Sequence, residues 1–461
     1  MRLKPKSLRF RKSLLSMRLK FLILTVALSV AYQAAAADSQ NLMQIYQQAL
    51  SHDPVWMSAQ SSNRALQEKL VQGQSQFLPA VTLNGGASVS KTEFSPVGAT
   101  VFSNNKSTFA GYTYDLNVTQ PLFHKQYWAQ LNQAKNKVAQ ADQQLAMAHQ
   151  GLILRTAKAY FDVLLAQDKV ELIEAQKKAT LHQLAQAKAN FDVGTSTITD
   201  FNEAKARFDL IEAQEIAAKS DVEVKKHGIN AIIGQLPSQL NAVRDDLQTQ
   251  LPDPFDIEKW VDVAEQNSLT IAIQQQALEI ATQEIEAQNS GHFPTLDVVG
   301  DYKGGYSNGG INGYGTDLQN TTIGIQLQIP VYQGGYVSSK VREAVANKQK
   351  ALDDIEVAKR QVDLDTRSAY LNLASSVAQI KAYEQALNSS QSQLDSTNLG
   401  YEVGVRTSVD VLNAQQQYYS AKRDLLQSRY TYLVNILSLK SAVGLLSEAD
   451  LEGVNQQLVS R

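Results

Sequence analysis

After Pro330 and the glycine pair Gly334-Gly335, the chain runs 64 residues to Gly400 without a proline or a glycine. No other feature restricts the fold so severely. A stretch of that length, rich in Ala, Gln, Lys, Asp and Leu, reads as one helix, several times longer than a globular core can cover. The segment Phe123 to Val193 is its counterpart, interrupted only by Gly151. Its 71 residues at a rise of about 1.5 Å each make a rod of roughly 100 Å.

A strand pattern leads into each rod. In Thr321 to Gly335, Ile323, Ile325, Leu327 and Ile329 alternate with Gly324, Gln326 and Gln328, which predicts a strand with one apolar face. Tyr112 to Gln120 before Pro121-Leu122-Phe123 mirrors the stretch before Pro330-Val331-Tyr332 at an offset of 209. Beyond it the offset settles at 210: Ala159-Tyr160 matches Ala369-Tyr370, Val193-Gly194 matches Val403-Gly404, and Asp200 matches Asp410. The chain is a tandem duplication. Its helical pattern also repeats in register: Leu131, Ala134, Val138, Ala141, Leu145, Ala148 and Leu152 form a heptad seam, and 210 residues on stand Val341, Ala344, Lys348, Ala351, Ile355, Ala358 and Val362, with Lys348 alone out of character. Such a seam predicts coiled-coil packing, and its alanines allow close approach. Each half thus reads as strand, loop, strand, long helix, Gly turn, second helix. Repeat one is expected over about residues 38–250 and repeat two over 251–461, with strands at 77–121 and 293–330 and helical hairpins at 123–234 and 336–444.

The first 37 residues hold eight basic side chains and no acidic one, and the apolar run Phe21 to Ala31 is followed by Gln33 and four alanines. This predicts a secretory signal peptide over 1–37; the run is too short to be a membrane anchor. Removing those eight of the 43 basic residues leaves 35 against 45 acidic ones, a net charge of about −10 that argues against nucleic-acid partners. There is no cysteine, so disulfides, thiolate metal sites and lipid attachment through cysteine are excluded. The histidines (His52, His124, His149, His182, His227, His292) are scattered without metal-ligand spacing, and neither a phosphate-cradling Gly loop nor an activated nucleophile is visible. The expectation is no enzyme, no cofactor and no metal.

Beyond the leader no window approaches a transmembrane helix, so any membrane span must be made of strands. Four strands cannot close a barrel alone, since the smallest have eight. Periodicity leaves two arrangements open: strands pooled from several chains into one barrel, or an exported coiled coil with a β cap.

The residues that carry a resemblance are "QIPVYQGG", "GHFPTLDVV", "NLMQIYQQAL" and the long stretch beginning "YEVGVRTSVDVLNAQQQYYSAKRDLL". They closely resemble the TolC family of outer-membrane channels, the outer membrane factors, over essentially Asp38 to Gln457. The resemblance implies an α+β membrane protein: a homotrimer with a 12-stranded β-barrel in outer-membrane lipid, four strands per protomer, continued by a 12-helix periplasmic α-barrel of coiled coils. It implies an exit duct for drugs or proteins, recruited by a periplasmic adaptor (membrane fusion) protein and an inner-membrane transporter of the RND, ABC or MFS class.

The helical turns carry the candidate sites. Thr197-Ile198-Thr199-Asp200 and Thr407-Ser408-Val409-Asp410 fit the [ST]-x-x-[DE] capping pattern, and spacing alone favours local capping. Similarity to the family adds a second role at matching positions: a gating latch of Thr199 and Asp200 against Tyr401 and Arg406, and a pore constriction at Asp410. The family's second acidic ring falls on Asn413, an amide here, so only half of its charge is expected.

Overall fold

The computed structural model describes residues 39–98, 105–244, 246–310 and 314–460; the expected signal peptide lies outside the described residues. Helix α1 (Leu42–His52) opens on a capping box in which Asn41 and Gln44 each bond the other's backbone N–H. Helix α2 (Pro54–Ser75) follows, with Asp53 as its N-cap and proline in its first turn, where the missing N–H costs nothing. Strands β1 (Ala80–Phe94) and β2 (Asn105–Phe123) feed the first rod, α3 (Lys125–Asp192), which turns back as α4 (Ile198–Ile233). A linker holding the two-residue β3 (Ala242–Val243) leads to α5 (Ile257–Asn267) and α6 (Leu269–Asn289). Strands β4 (Thr295–Ser307) and β5 (Thr316–Gln328) then feed the second rod, α7 (Tyr336–Glu402), which turns back as α8 (Ser408–Ala442); α9 (Glu448–Asn455) and β6 (Leu458–Val459) close the chain. Helix α7 runs through Gly400 to Glu402, just before the Val403-Gly404 turn.

The four long strands form one antiparallel sheet in the order β1-β2-β4-β5. Its register sorts side chains by chemistry. Val81 pairs with Val118, Leu83 with Leu116, Leu116 with Tyr302, Val298 with Ile325 and Leu296 with Leu327. The intervening positions pair Asn84 with Asp115, Asn117 with Asp301 and Asp297 with Gln326. Because successive side chains alternate between faces, one face is aliphatic and aromatic and the other polar. Tyr112 stacks on Tyr306 on the apolar face, with ring centroids 5.6 Å apart. The Tyr114 ring lies over Gly304, where a Cβ would stand 2.2 Å from it and push the ring aside. Among the described residues nothing covers that face: Leu83 is 72% exposed and Ile323 81%.

The core lies midway along the rods. Leu152, Tyr160, Phe161 and Leu164 of α3 pack with Val362, Leu373 and Val377 of α7, Leu433 and Leu437 of α8, and Leu42 and Ile45 of α1. The heptad seams continue from it, with Ala134 and Ala141 buried on α3 and Ala344, Ala351 and Ala358 on α7. Small residues set the helix spacing: a Cβ on Gly73 of α2 would stand 3.2 Å from the Ala134 methyl. Around this level the N-terminal segment, linker and tail converge. Gln40 bridges to Leu240, and β3 pairs with β6. The wholly buried Tyr160 donates its hydroxyl to the carbonyls of Gln40 and Asn241 at 3.1 and 2.9 Å, and burial pushes its pKa far above the ordinary tyrosine value. Tyr432 accepts from the Gln250 amide at 2.8 Å.

Leu433 has no exposed surface, so Leu433→Ala should destabilise the fold by about 2–5 kcal/mol, measured by denaturant unfolding. Tyr160→Phe, which takes the hydroxyl from the Asn241 carbonyl while the Gln40 carbonyl keeps the Asn241 amide, should cost about 1–3 kcal/mol.

Candidate functional site

The two rods end alike. Both reach a glycine with left-handed backbone, Gly194 at φ +79° and Gly404 at φ +80°, a conformation that a Cβ disfavours. The Thr195 amide donates to the Asn190 carbonyl and the Val405 amide to the Gly400 carbonyl, both at 2.9 Å, closing the turns. The next helix then starts on a capping box. Asp200 Oδ2 accepts from the Thr197 amide at 3.1 Å and from its hydroxyl at 2.9 Å, while the Asp200 amide donates to Thr197 Oγ1. Asp410 and Thr407 repeat this arrangement, with both bonds to Oδ2 at 2.9 Å.

Electrostatics follow from these contacts. The Ser196 hydroxyl, 2.7 Å from Asp200 Oδ2, together with the Thr197 amide and hydroxyl, holds the Asp200 carboxyl below the usual range. Asp410 is lowered by the Thr407 amide first, then its hydroxyl, with the Arg406 charge adding to them. The Arg406 stem lies across Gly400, where a Cβ would meet its Cγ at 2.7 Å. Arg406, Asp410 and Asn413 line one groove of about 260 Å³ beside α7.

The sequence-nominated residues thus occupy two turns that are neighbours in space. Among the described residues, no hydrogen bond within the chain joins Thr199 or Asp200 to Tyr401 or Arg406. The cross-links that do form use residues the sequence reading passed over. Asn190 Nδ2, in the last turn of α3, donates to the Tyr401 hydroxyl at 3.0 Å. Arg207 of α4 donates through Nη2 to Asn413 Oδ1 at 2.8 Å and through Nη1 to Gln416 Oε1. One signal pointed to Arg207: it lies seven residues beyond Asp200, two turns on along the same helix face. Ala187, Ala204 and Leu412 make a small apolar contact at this level.

The first hairpin (α3/α4) is stapled by an ion-pair network. Lys177 of α3 lies 2.9 Å from both Glu212 and Glu215 of α4, and Lys219 of α4 lies 2.8 Å from Glu174 of α3. In the second hairpin (α7/α8), Arg429 meets Glu384 at 3.3 Å. Elsewhere His124 meets Asp297 at 2.8 Å where strand gives way to helix, and His149 bonds the Tyr46 hydroxyl at 2.7 Å in the core. Among the described residues, no three acidic or imidazole groups are placed to hold a metal, and no helix is long and apolar enough to cross a membrane.

A family model described as outer membrane efflux protein matches residues 45–235 and 260–445. The chain is 35% identical over 441 residues to the outer membrane protein TolC of Vibrio cholerae, covering 95% of this chain and 98% of that one. It is 28% identical over 439 residues to the proteases secretion protein PrtF of Dickeya chrysanthemi, covering 94% of each. Its backbone is also similar to the crystal structure of the outer membrane protein VceC from Vibrio cholerae, with a TM-score of 0.72 at 20% identity, over 87% of this chain and 96% of that one.

Because both capping carboxylates bind protons less readily folded than unfolded, the stability they supply is present above the ordinary Asp value of 3.8 and lost as pH falls below it. Hydrogen-exchange protection of the Asp200 and Asp410 amides should therefore persist from neutral pH down to that value and decline only beneath it. Thr197→Ala should weaken its helix start by about 1 kcal/mol at neutral pH.

Proposed function

Because the chain belongs to the outer membrane efflux protein family, we propose that three copies assemble into one conduit. The protein is an outer-membrane efflux and secretion channel whose long helices occupy the periplasm. The observation that carries the trimer is the sheet: among the described residues its apolar face is bare, and its edge strands β1 and β5 have no partner. In hydrocarbon every backbone N–H and C=O needs a partner, so an open sheet cannot enter a bilayer alone. Pairing β5 of one copy with β1 of the next closes twelve strands. Apolar side chains then meet lipid, and Asn84, Asp115 and Asp301 face water. Thirteen residues per strand, as in β4 and β5, span roughly 30 Å when tilted by about 45°, the thickness of the hydrocarbon.

The helices continue the barrel. Val357, Leu364 and Leu371 recur every seven residues on α7 and are 66%, 58% and 58% exposed, one position of a heptad repeat on a face that wants a neighbour. This stripe seats on an adjacent copy. Drugs or proteins pass through the tunnel, as the names of the relatives suggest for those proteins. A periplasmic adaptor and an inner-membrane transporter supply recognition and energy, and the chain itself catalyses nothing.

Closure at the turns is the function of the candidate site. Arg406 and Tyr401 on the second hairpin face Thr199 and Asp200 on the first, in the same copy or the next, and a guanidinium on a carboxylate makes a charge-assisted, breakable bond. Three Asp410 carboxylates around the axis make a negative constriction that draws cations. Capping and latching coexist, because each carboxylate oxygen accepts more than one hydrogen bond.

Leu364→Glu should weaken the trimer, seen as dissociation in mild detergent; a stable detergent-free monomer of the unaltered protein would sink the assembly. In planar bilayers, Tyr401→Phe with Arg406→Ser should raise single-channel conductance beyond either change alone, with trimer melting unchanged. Asp410→Ala should lower cation preference, and an unaltered preference would place the constriction elsewhere.

A further inference from the structure

We propose that Arg207 is a tether between the two helical hairpins, and that Asn413 serves this chain as its acceptor rather than as a pore-facing group. The inference rests on the channel reading for its conduction test but stands on contacts that the turns do not share. Arg207 is two turns up α4 from Asp200, and the fork of its guanidinium meets two amide oxygens on α8: Asn413 at 2.8 Å and Gln416. Asn413 and Gln416 are three residues apart, on one helix face, so two acceptors are presented together to one planar donor. A lysine, a point charge without the fork, could not address both in this way.

The surroundings make this contact matter. The same Arg207 side chain walls a cavity of about 480 Å³ between α3, α4 and α8, lined also by Leu172, Ile211 and Leu412. Close packing therefore does not cement the hairpins at this level. Beside the small contact of Ala187, Ala204 and Leu412 and the Asn190–Tyr401 bond nearer the tip, this polar bridge joins the hairpins. Amides accept from arginine less strongly than carboxylates do, which leaves the tether breakable when the hairpins part.

A carboxylate placed at 413 would accordingly be claimed by Arg207 and would not add its charge to the pore. This separates the tether from a plain reading of 413 as a ring position. Asn413→Asp in the otherwise unaltered protein should lower conductance by strengthening the tether and leave cation preference unchanged. In an Arg207→Gln background the same substitution should raise cation preference, because its charge is now uncompensated. Arg207→Gln alone should raise open probability roughly tenfold, as expected from losing a hydrogen bond to a charged group, and Arg207→Lys should open the channel nearly as much, since it keeps the charge and loses the fork. Trimer melting should stay constant throughout, the seams being untouched. Equal gains in cation preference from Asn413→Asp in both backgrounds, or an Arg207→Lys channel as closed as the unaltered one, would overturn the tether. A second readout needs no conduction: amide exchange of α8 around 413–416 should accelerate in Arg207→Gln trimers, and unchanged exchange overturns the proposal even in a chain that never conducts.

Discussion

An antiparallel sheet of four strands with one bare apolar face and two unpaired edges has no stable place in water, and the rest of the molecule is arranged around that deficit. Within the chain the register from β1 through β5 gathers Val81, Leu83, Leu116, Val298, Ile325 and Leu327 on a single side. The sheet is thereby committed to lipid on one face and to an aqueous interior on the other. Each strand pair leads directly into a helix of 67 or 68 residues, so closing the sheet also fixes where the rods begin and places the helices side by side as a second wall.

The rods are stabilised unevenly. Apolar burial is concentrated midway, where Tyr160, Phe161, Leu164, Leu433 and Leu437 exclude water and three strands of chain wrap the helices. Toward the tips the buried apolar set thins to small residues and a few neighbours, Ala187, Ala204, Val411, Leu412 and Ala414, and polar contacts join them: capping boxes, the Asn190–Tyr401 bond, and the reach of Arg207 to α8. Hydrogen bonds of this kind contribute little net energy each. Local stability therefore falls from the packed middle of the rods toward their ends.

The duplication is cleaner in sequence than in space. Asp200 and Asp410 cap their helices in the same way, yet Asp200 gains the Ser196 hydroxyl whereas Asp410 has the Arg406 charge nearby. Phe161 is buried, and its repeat partner Leu371 lies open to solvent. Where Ala157 is enclosed in the core, its counterpart Arg367 reaches out to pair with Glu258 at 2.7 Å and Asp363 at 2.9 Å. The two hairpins therefore share a backbone plan and differ in what surrounds them. The first is stapled by Lys177 and Lys219, and the second by Arg429 on Glu384.

Patterning by itself determined the strand pairs, the two rods, their seams and the capped glycine turns, because these features arise from interactions within a few residues: alternation, heptad spacing, an unbroken run of helix formers, and side chains that bond their own backbone. It also marked Asp200 and Asp410 through the capping pattern. What it could not reach was the pairing of side chains from different helices. That Asn190 meets Tyr401, that Arg207 meets Asn413 and Gln416, and that Val118 sits between Val81 and Gly300 depend on how far one helix or strand is displaced along another. That displacement is set by the summed packing of the core and seams, small residues such as Gly73 against Ala134 included, and only the tertiary structure contains it.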